Sequence, residues 1–364
     1  MTNNSDTVAT IPSDVDVAII GAGIGGLAAA VALRKAGIEA HVYERTKVLK
    51  AVGGAVVIRE PSVRLFEAWG IADRFHAEAV QIPLIEVRDS DGEPIGTISA
   101  DPTGDGRAYS VHRADVQALL QEGVDQQHIH LGMECVEAFE DGERGVVRFA
   151  DGQQVRTKVV IGADGIWSVV RKFVHNDEPI FSKLVVLRGL APSSAMPEGT
   201  LNNRLYLWRQ ESRVMLLLPL RGGAEVAMDT SMEYDTPPKD LWTSEVPMSV
   251  LLDYFKGFDS AIINLIEAGT VPVRANPVYE REPIHTWSTA HITLLGDAAH
   301  PMAPRVGQGA NQAIQDADAL ARALSREGMR NVPDALRRYH EERAPITKKM
   351  QLLSRSLPQI NFFV

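Results

Sequence analysis

The chain is short of cysteine, of basic charge and of long apolar runs. Its 364 residues include a single cysteine, Cys135, which excludes an internal disulfide and fits a reducing compartment. Nothing around Cys135 would stabilise a thiolate, so it reads as a structural residue. Lys and Arg number 37 against 47 Asp and Glu, a net charge of -10. That balance repels nucleic-acid phosphates and anionic membrane surfaces alike. No uninterrupted apolar run approaches the roughly 20 residues of a spanning helix. Met1 to about Ser13 has neither the basic nor the apolar stretch of a signal peptide and reads as a frayed tail. Ten histidines are present, but none pairs at metal-ligand spacing within a cluster, so no metal is expected. There is no internal repeat and no low-complexity linker. A cytoplasmic chain is expected, and 364 residues with 45% hydrophobic content suffice for two lobes or more.

Val15–Ile20 is a nearly continuous apolar run, the signature of a strand buried on both faces. A glycine-rich turn follows, then an Ala/Leu-rich helix over Leu27–Ala36 that stops at Gly37, then a strand over Ala40–Tyr43. This is a βαβ unit. Gly21, Gly23 and Gly26 form G-x-G-x-x-G, with Gly25 inside it, directly after the strand and at the helix start. Glycine there allows a tight turn, close approach of backbone to a pyrophosphate, and close packing of helix on strand. The free N–H groups and positive dipole end of the helix favour phosphate. Glu44 ends the second strand, placed to accept hydrogen bonds from a ribose diol. Arg45 either lies on the adenosine or projects into solvent. The unit therefore binds a dinucleotide, although this fingerprint alone does not separate FAD from NAD.

Further along, Ile82–Arg88 and Pro94–Ser99 flank Asp91-Gly92 as a hairpin. Strand-like segments recur from Ile180 to Asp229, with turns at Glu211-Ser212 and Gly222-Gly223. Tyr206, Trp208, Met215, Leu217 and Pro219 alternate as residues on one face of a sheet, which either packs as core or forms the ceiling of a substrate site. After a buried strand at Ile292–Leu295, Ala310, Ile314, Ala317, Ala321 and Leu324 recur at helical spacing. A last helix over Val332–Ser354 is expected to be interrupted or kinked at Pro345.

Two more segments carry chemistry. Val159–Gly165, VVIGADG, runs from a strand into a tight turn and then a helix through Arg171. Thr293–Ala299, TLLGDAA, does the same and continues as GDAAHPMAPRVGQGANQAIQDADALA to Ala321. With these motifs in this order, over nearly its whole length, the chain resembles the FAD-dependent aromatic-hydroxylase class of flavoprotein monooxygenases, which includes salicylate, hydroxynicotinate and urate hydroxylases. The resemblance implies an α/β fold: a Rossmann-type FAD-binding lobe built from discontinuous segments (1–75, 105–178 and 275–364), an inserted, mostly antiparallel β-sheet substrate domain (76–104 and 179–274), and C-terminal helices.

It also implies a single-component FAD enzyme, monomeric or homodimeric, that takes electrons from NADH or NADPH. Such an enzyme uses O2 to hydroxylate or epoxidise a small aromatic or unsaturated substrate through a flavin C4a-hydroperoxide. The alternatives are a dehydrogenase or reductase of the same fold, or a flavin-binding protein without turnover. A halogenase is disfavoured because W-x-W-x-I-P is missing, and a large phenol hydroxylase because the chain is too short.

On the residues themselves, Asp297 at a strand end can hydrogen-bond a ribityl chain. Pro304, Gly307, Gly309 and Ala310 bring backbone close to a flat ring, and Asn311 lies in the first turn of the helix that starts there. A reduced, anionic ring edge at that helix start gains on the order of 1 kcal/mol or more. By the resemblance, Arg113 contacts the FAD, unless it pairs with Asp115, while Asp164 and Gly165 hold the fold around the cofactor and the transient nicotinamide. Arg305 and Arg213 are the candidate substrate residues: Arg305 either holds a substrate carboxylate or enolate or forms a salt bridge within the protein, and Arg213 matches in position an arginine that some relatives of the resembled class place near substrate. Where the resembled class usually runs G-I-x-L-x-P-N, this chain has Gly54–Ser62, GAVVIREPS, and its Arg59-Glu60 pair near the expected flavin edge is either a local ion pair or part of substrate recognition. His300 reads as structural.

Overall fold

The computed structural model describes residues 11–49, 54–100, 107–197, 203–237 and 245–356. Most of the polar tail lies outside that range, but its last residues are not frayed: the Ile11 amide donates to Gln153 Oε1 at 3.2 Å, and Ser13 accepts from the Arg156 amide.

The expected βαβ unit is β1 (Asp14–Ile20), α1 (Ile24–Lys35) and β2 (Ala40–Glu44). α1 begins three residues earlier than its apolar pattern indicates, because Gly23 already serves as its N-cap. Next come β3 (Ala55–Arg59), α2 (Glu60–Trp69), α3 (Ala72–Glu78) and β4 (Val80–Gln81), followed by the hairpin β5 (Leu84–Arg88) and β6 (Pro94–Ser99). Gly92 closes that hairpin in the left-handed region, φ 87°, as an Asp-Gly turn requires. β7 (Ala108–His112) leads into α4 (Arg113–Glu122), and then β8 (Ile129–Leu131), β9 (Cys135–Glu140), β10 (Gly145–Phe149), β11 (Gln154–Gly162) and α5 (Val169–Val174). A long antiparallel stretch comprises β12 (Ile180–Pro192), β13 (Leu205–Gln210), β14 (Arg213–Leu220), β15 (Glu225–Glu233), β16 (Glu245–Val246), α6 (Met248–Tyr254), α7 (Ser260–Glu267) and β17 (Val273–Glu280). The chain ends in β18 (Ile292–Leu294), α8 (Gly309–Glu327) and α9 (Val332–Ser356). α9 runs unbroken through Pro345, so the proline bounds no element.

Three sheets result. The first runs β8-β2-β1-β11-β10-β9, with β18 beside β11. β1 is parallel to both β2 and β11, and β11 to β18, so the glycine turns after β1, β11 and β18 all open at the same sheet end. Open parallel sheets bind ligands at that carboxyl end. The second, eight-stranded sheet runs β16-β17-β12-β15-β14-β13-β5-β6, antiparallel except where β13 meets β5. β17 belongs to it through Glu280, six residues past the boundary expected at 274. A third, small sheet runs β3-β7-β4.

The alternating face Tyr206, Trp208, Met215 and Leu217 packs against Leu251, Phe255, Phe258 and Ile262 of the α6–α7 segment. It is core. Pairs such as Tyr206 opposite Leu217 and Trp208 opposite Met215 fix this parity, so β14's other face, carrying Leu216 and Leu218, turns toward the nucleotide lobe. Among the described residues no helix is long and apolar enough to cross a membrane.

Candidate active site

The G-x-G-x-x-G loop is built as its spacing requires. Gly21 sits at φ 106°, and a Cβ there would fall 2.5 Å from the Ala163 carbonyl oxygen. A Cβ on Gly26 would fall 2.0 Å from the Gly21 carbonyl oxygen, a clash with backbone that nothing can relieve. Gly25 packs α1 against Leu295 and Ala313. Gly23, by contrast, faces open space, at the N-cap of a helix with no acidic residue in its first turn. Glu44 braces the loop: one carboxylate oxygen accepts from the Ala22 amide at 2.9 Å and the other from the Thr46 amide at 2.9 Å. Each oxygen keeps a lone pair for a further donor. Gln117 of α4 donates to the Ala22 carbonyl at 2.7 Å.

A cavity of about 290 Å3 starts at this loop and runs to the second sheet. Its walls include Gly23, Gly25, Arg113, Gly165, Asp297, Pro304, Gly307, Gly309 and Ala310, and its ceiling is Val186, Arg188, Leu216, Leu218 and Asp229. An outer groove of about 630 Å3, lined by Arg45, Trp167 and Tyr279 among others, shares Arg188, Asp297, Met302 and Pro304 with it. Asp297 and Arg113 are both exposed toward this space. Packed protein still surrounds Arg113 closely enough that burial pushes its pKa down, with Asp297 opposing; an arginine remains charged under such a shift.

Several expected site residues face elsewhere. Asp164 accepts from Ser168 Oγ at 2.5 Å and from the Val169 and Val170 amides at 2.7 and 3.3 Å. It caps α5, and burial pushes its pKa up. Its effect on the cavity is through Gly165, the next residue. Asn311 accepts from the Arg59 amide and Ser62 Oγ and donates to the carbonyls of Val57 and Gly307. These bonds pin β3 and α2 to the start of α8 and commit the whole side chain. Arg305 is buried with Nη1 3.5 Å from the Ser354 carbonyl of α9, and it is not among the cavity-lining residues. Arg213 donates to the Tyr254 and Lys256 carbonyls and stacks on Phe258 at 5.0 Å, on the sheet face away from the cavity. Glu60 pairs with Arg64 and Arg107, while Arg59 Nη1 donates to the Ala100 carbonyl. That segment is a buried polar patch beside the site. His300 Nε2–H donates to Asp316 at 2.5 Å, and Arg343 Nε donates to the same carboxylate at 2.7 Å. Burial opposes the charge on Asp316, but His300 and Arg343 outweigh it and hold its pKa low.

The residues the motifs did not identify are Arg188, Asp229 and Arg171. Arg171, fully buried, chelates Asp177 and donates to the carbonyls of Ala298 and Ala299 at 2.9 and 2.8 Å. It ties the helix after Gly165 to the loop carrying Asp297. Its position three residues beyond Ser168 was the available signal, but nothing in the sequence pointed to Ala298.

The donor set suits a flavin dinucleotide. A glycine-lined slot with one glycine facing open space leads past an exposed carboxylate to a flat apolar chamber at a helix start. A family model described as FAD binding domain matches residues 14–354. The chain is 31% identical to 3-amino-4-hydroxybenzoate 2-monooxygenase of Streptomyces cremeus, over 96% of this chain and 88% of that protein. It is also 31% identical to 3-hydroxybenzoate 6-hydroxylase of Polaromonas naphthalenivorans strain CJ2, with the same 96% and 88% coverage. Among solved structures, HpxO of Klebsiella pneumoniae complexed with FAD and uric acid superposes with a TM-score of 0.84 at 25% identity, over 95% of this chain and 88% of that one.

Proposed function

The chain belongs to the FAD-binding family of aromatic hydroxylases and monooxygenases, and from that membership we propose that one continuous cavity system brings flavin and substrate together for an NAD(P)H- and O2-consuming hydroxylation. Continuity is the observation that carries the reading: the glycine loop, Asp297, the start of α8 and the apolar sheet face line one space. Bound FAD supplies hydride acceptance and the activation of O2.

Everything else falls to the protein. Glu44 and Arg45 take the ribose and adenosine. Gly21, Gly23, Gly25 and Gly26 let the N-terminus of α1 approach the pyrophosphate. Arg113 and Asp297 face the ribityl region, and Gly165, Pro304, Gly307, Gly309 and Ala310 shape the ring slot. α8 begins at Gly309, so the positive end of its dipole lies at the slot and favours negative charge there. Val186, Leu216 and Leu218 keep water from the reacting centre, which limits peroxide leakage. Asp164, Asn311 and Arg171 act by positioning these walls. The outer groove beside Trp167 has room for NADH or NADPH. The segments around the first sheet make up the FAD-binding domain and the eight-stranded sheet with α6 and α7 the substrate domain. A cytoplasmic setting is supported by the single cysteine, buried, with its thiol pKa pushed up by burial to about 12.

The test is oxidation of NADH and of NADPH by the FAD-loaded protein, with O2 uptake and peroxide followed together. 3-Hydroxybenzoate and 3-amino-4-hydroxybenzoate are the first substrates to try. Oxidation accelerated by an arene with little peroxide formed is the expected outcome. Peroxide equal to the NAD(P)H consumed with every arene would leave an oxidase or reductase, and no oxidation at all a flavin-binding protein.

A further inference from the structure

The ceiling of the cavity holds one polar pair in an otherwise apolar surface. Arg188 of β12 stands directly across from Asp229 of β15, and Leu216 of β14 is the next residue in the same row. Arg188 Nε donates to Asp229 Oδ2 at 3.3 Å, long for a charge-assisted bond. Asp229 is only 8% exposed, yet its Oδ1 has no hydrogen-bond partner among the described residues. The pair presses on Gly54 from above: a Cβ there would fall 2.7 Å from Arg188 Cδ and 3.4 Å from Asp229 Oδ1. Glycine at this position makes room for the pair at the cavity wall. A buried carboxylate oxygen left without a donor is costly, and a sheet face serving only to exclude water would carry another leucine.

We propose that Asp229 is a specificity-determining residue whose unpartnered Oδ1 accepts a hydrogen bond from a ring hydroxyl or amino group of the substrate, with Arg188 holding the carboxylate in place. This rests on the monooxygenase reading above and narrows it to arenes that carry such a donor. Burial pushes the Asp229 pKa up, with Arg188 opposing, so the carboxylate is also a stronger proton acceptor than an exposed one. When the donor is a phenol, its O–H bond can break as an O–H bond forms on Oδ1. The electron pair then stays on the ring oxygen and enriches the ring that must be attacked.

The test uses FAD-loaded protein and follows the change in flavin absorbance on titration. 3-Hydroxybenzoate is compared with 3-methoxybenzoate, and 3-amino-4-hydroxybenzoate with 4-methoxybenzoate. The wild-type protein is expected to prefer the donor-bearing arene by about tenfold to a hundredfold, the scale of a hydrogen bond to a charged group. In Asp229→Asn and in Asp229→Ser that preference shrinks to about threefold or less, with FAD retained. A wild-type protein that binds both members of each pair equally, or whose flavin responds to none of them, overturns the inference even if neither variant folds. So does a folded variant that keeps the full preference. NADH and NADPH oxidation on the same samples separates the two readings. Preference lost in the variants but no arene-stimulated oxidation in the wild type would remove the monooxygenase and keep the Asp229 contact. Stimulated, coupled turnover with undiminished preference in the variants would do the reverse.

Discussion

Asp297 and His300 lie three residues apart in the same glycine-rich loop, and replacing each by alanine should produce opposite failures. Asp297 is exposed to the cavity, and among the described residues no hydrogen bond holds its carboxylate in place. Asp297→Ala should therefore leave the apoprotein's stability within about 0.5 kcal/mol of wild type. What it removes is a charged acceptor for a ribityl hydroxyl, about 1.5–3 kcal/mol, which is roughly tenfold to a hundredfold in FAD affinity. His300 is 1% exposed and bonded to Asp316, itself fully buried. Its ring also lies 5.2 Å from that of Trp287. His300→Ala takes a partner from a buried carboxylate that Arg343 and the Gly296 amide still hold. The cost is about 1–3 kcal/mol of stability, or roughly 2–6 °C in Tm at about 2 °C per kcal/mol for a chain of this size. Flavin fluorescence quenching gives the affinity and differential scanning fluorimetry of the apoprotein gives the stability. An Asp297→Ala protein with wild-type FAD affinity, or a His300→Ala protein with unchanged Tm and weakened FAD binding, would refute this division of labour.

The two roles of glycine in the first loop separate in the same assays. Gly26→Ala, whose Cβ would meet backbone at 2.0 Å, should fail to yield a stable apoprotein, while Gly23→Ala, with nothing within 4 Å, should keep apoprotein Tm and weaken FAD binding; equal Tm for the two would refute the packing argument. Arg305→Met should lower Tm, because it removes a buried charge bonded near the end of α9, and a loss of arene affinity at unchanged Tm would instead bring that side chain back to the cavity. Stability should also fall on mild acidification. Burial, with the His41 and His128 charges adding to it, lowers the His130 pKa from 6.5 to about 4. The folded state thus binds fewer protons than the unfolded chain between those values, and stability present above pH 6.5 is lost as pH falls toward 4. Urea midpoints at pH 7.5 and pH 5 should differ less in His130→Gln than in wild type, and an identical difference in both would assign the effect to other groups.

Local periodicity and turn chemistry made the nucleotide lobe legible. β1, α1 and β2 fall within a few residues of the segments read from apolar runs and glycine, because a strand buried on both faces and a helix packed through alanines leave little compositional freedom. The loop from Gly296 to Ala310 was legible for the same reason. What the sequence does not encode locally is the direction in which a polar side chain leaves such a loop. Arg305 sits between two cavity-lining residues, Pro304 and Gly307, yet its guanidinium runs to α9, an element that closes on it from 49 residues away. Asp164 and Asn311 have the residue types of ligand-binding groups, but Asp164 is taken by Ser168 and the first amides of α5, and Asn311 by backbone of β3, Ser62 and the Gly307 carbonyl.

The second sheet shows why the substrate side was harder. Alternation along β13 and β14 separates two faces but carries no label saying which one meets helices and which meets a cavity. α6 and α7 cover the face with Trp208, and only that decides that Leu216 and Leu218 form the ceiling. Arg188 and Asp229, 41 residues apart, then become neighbours through the β12–β15 register, which is set by nine cross-strand partners. A one-residue slip in that pairing would send one of the two to the helix-covered face. The polar pair over the cavity is thus a product of register, specified by the hydrophobic residues on both faces together, and no window of sequence around either residue contains it.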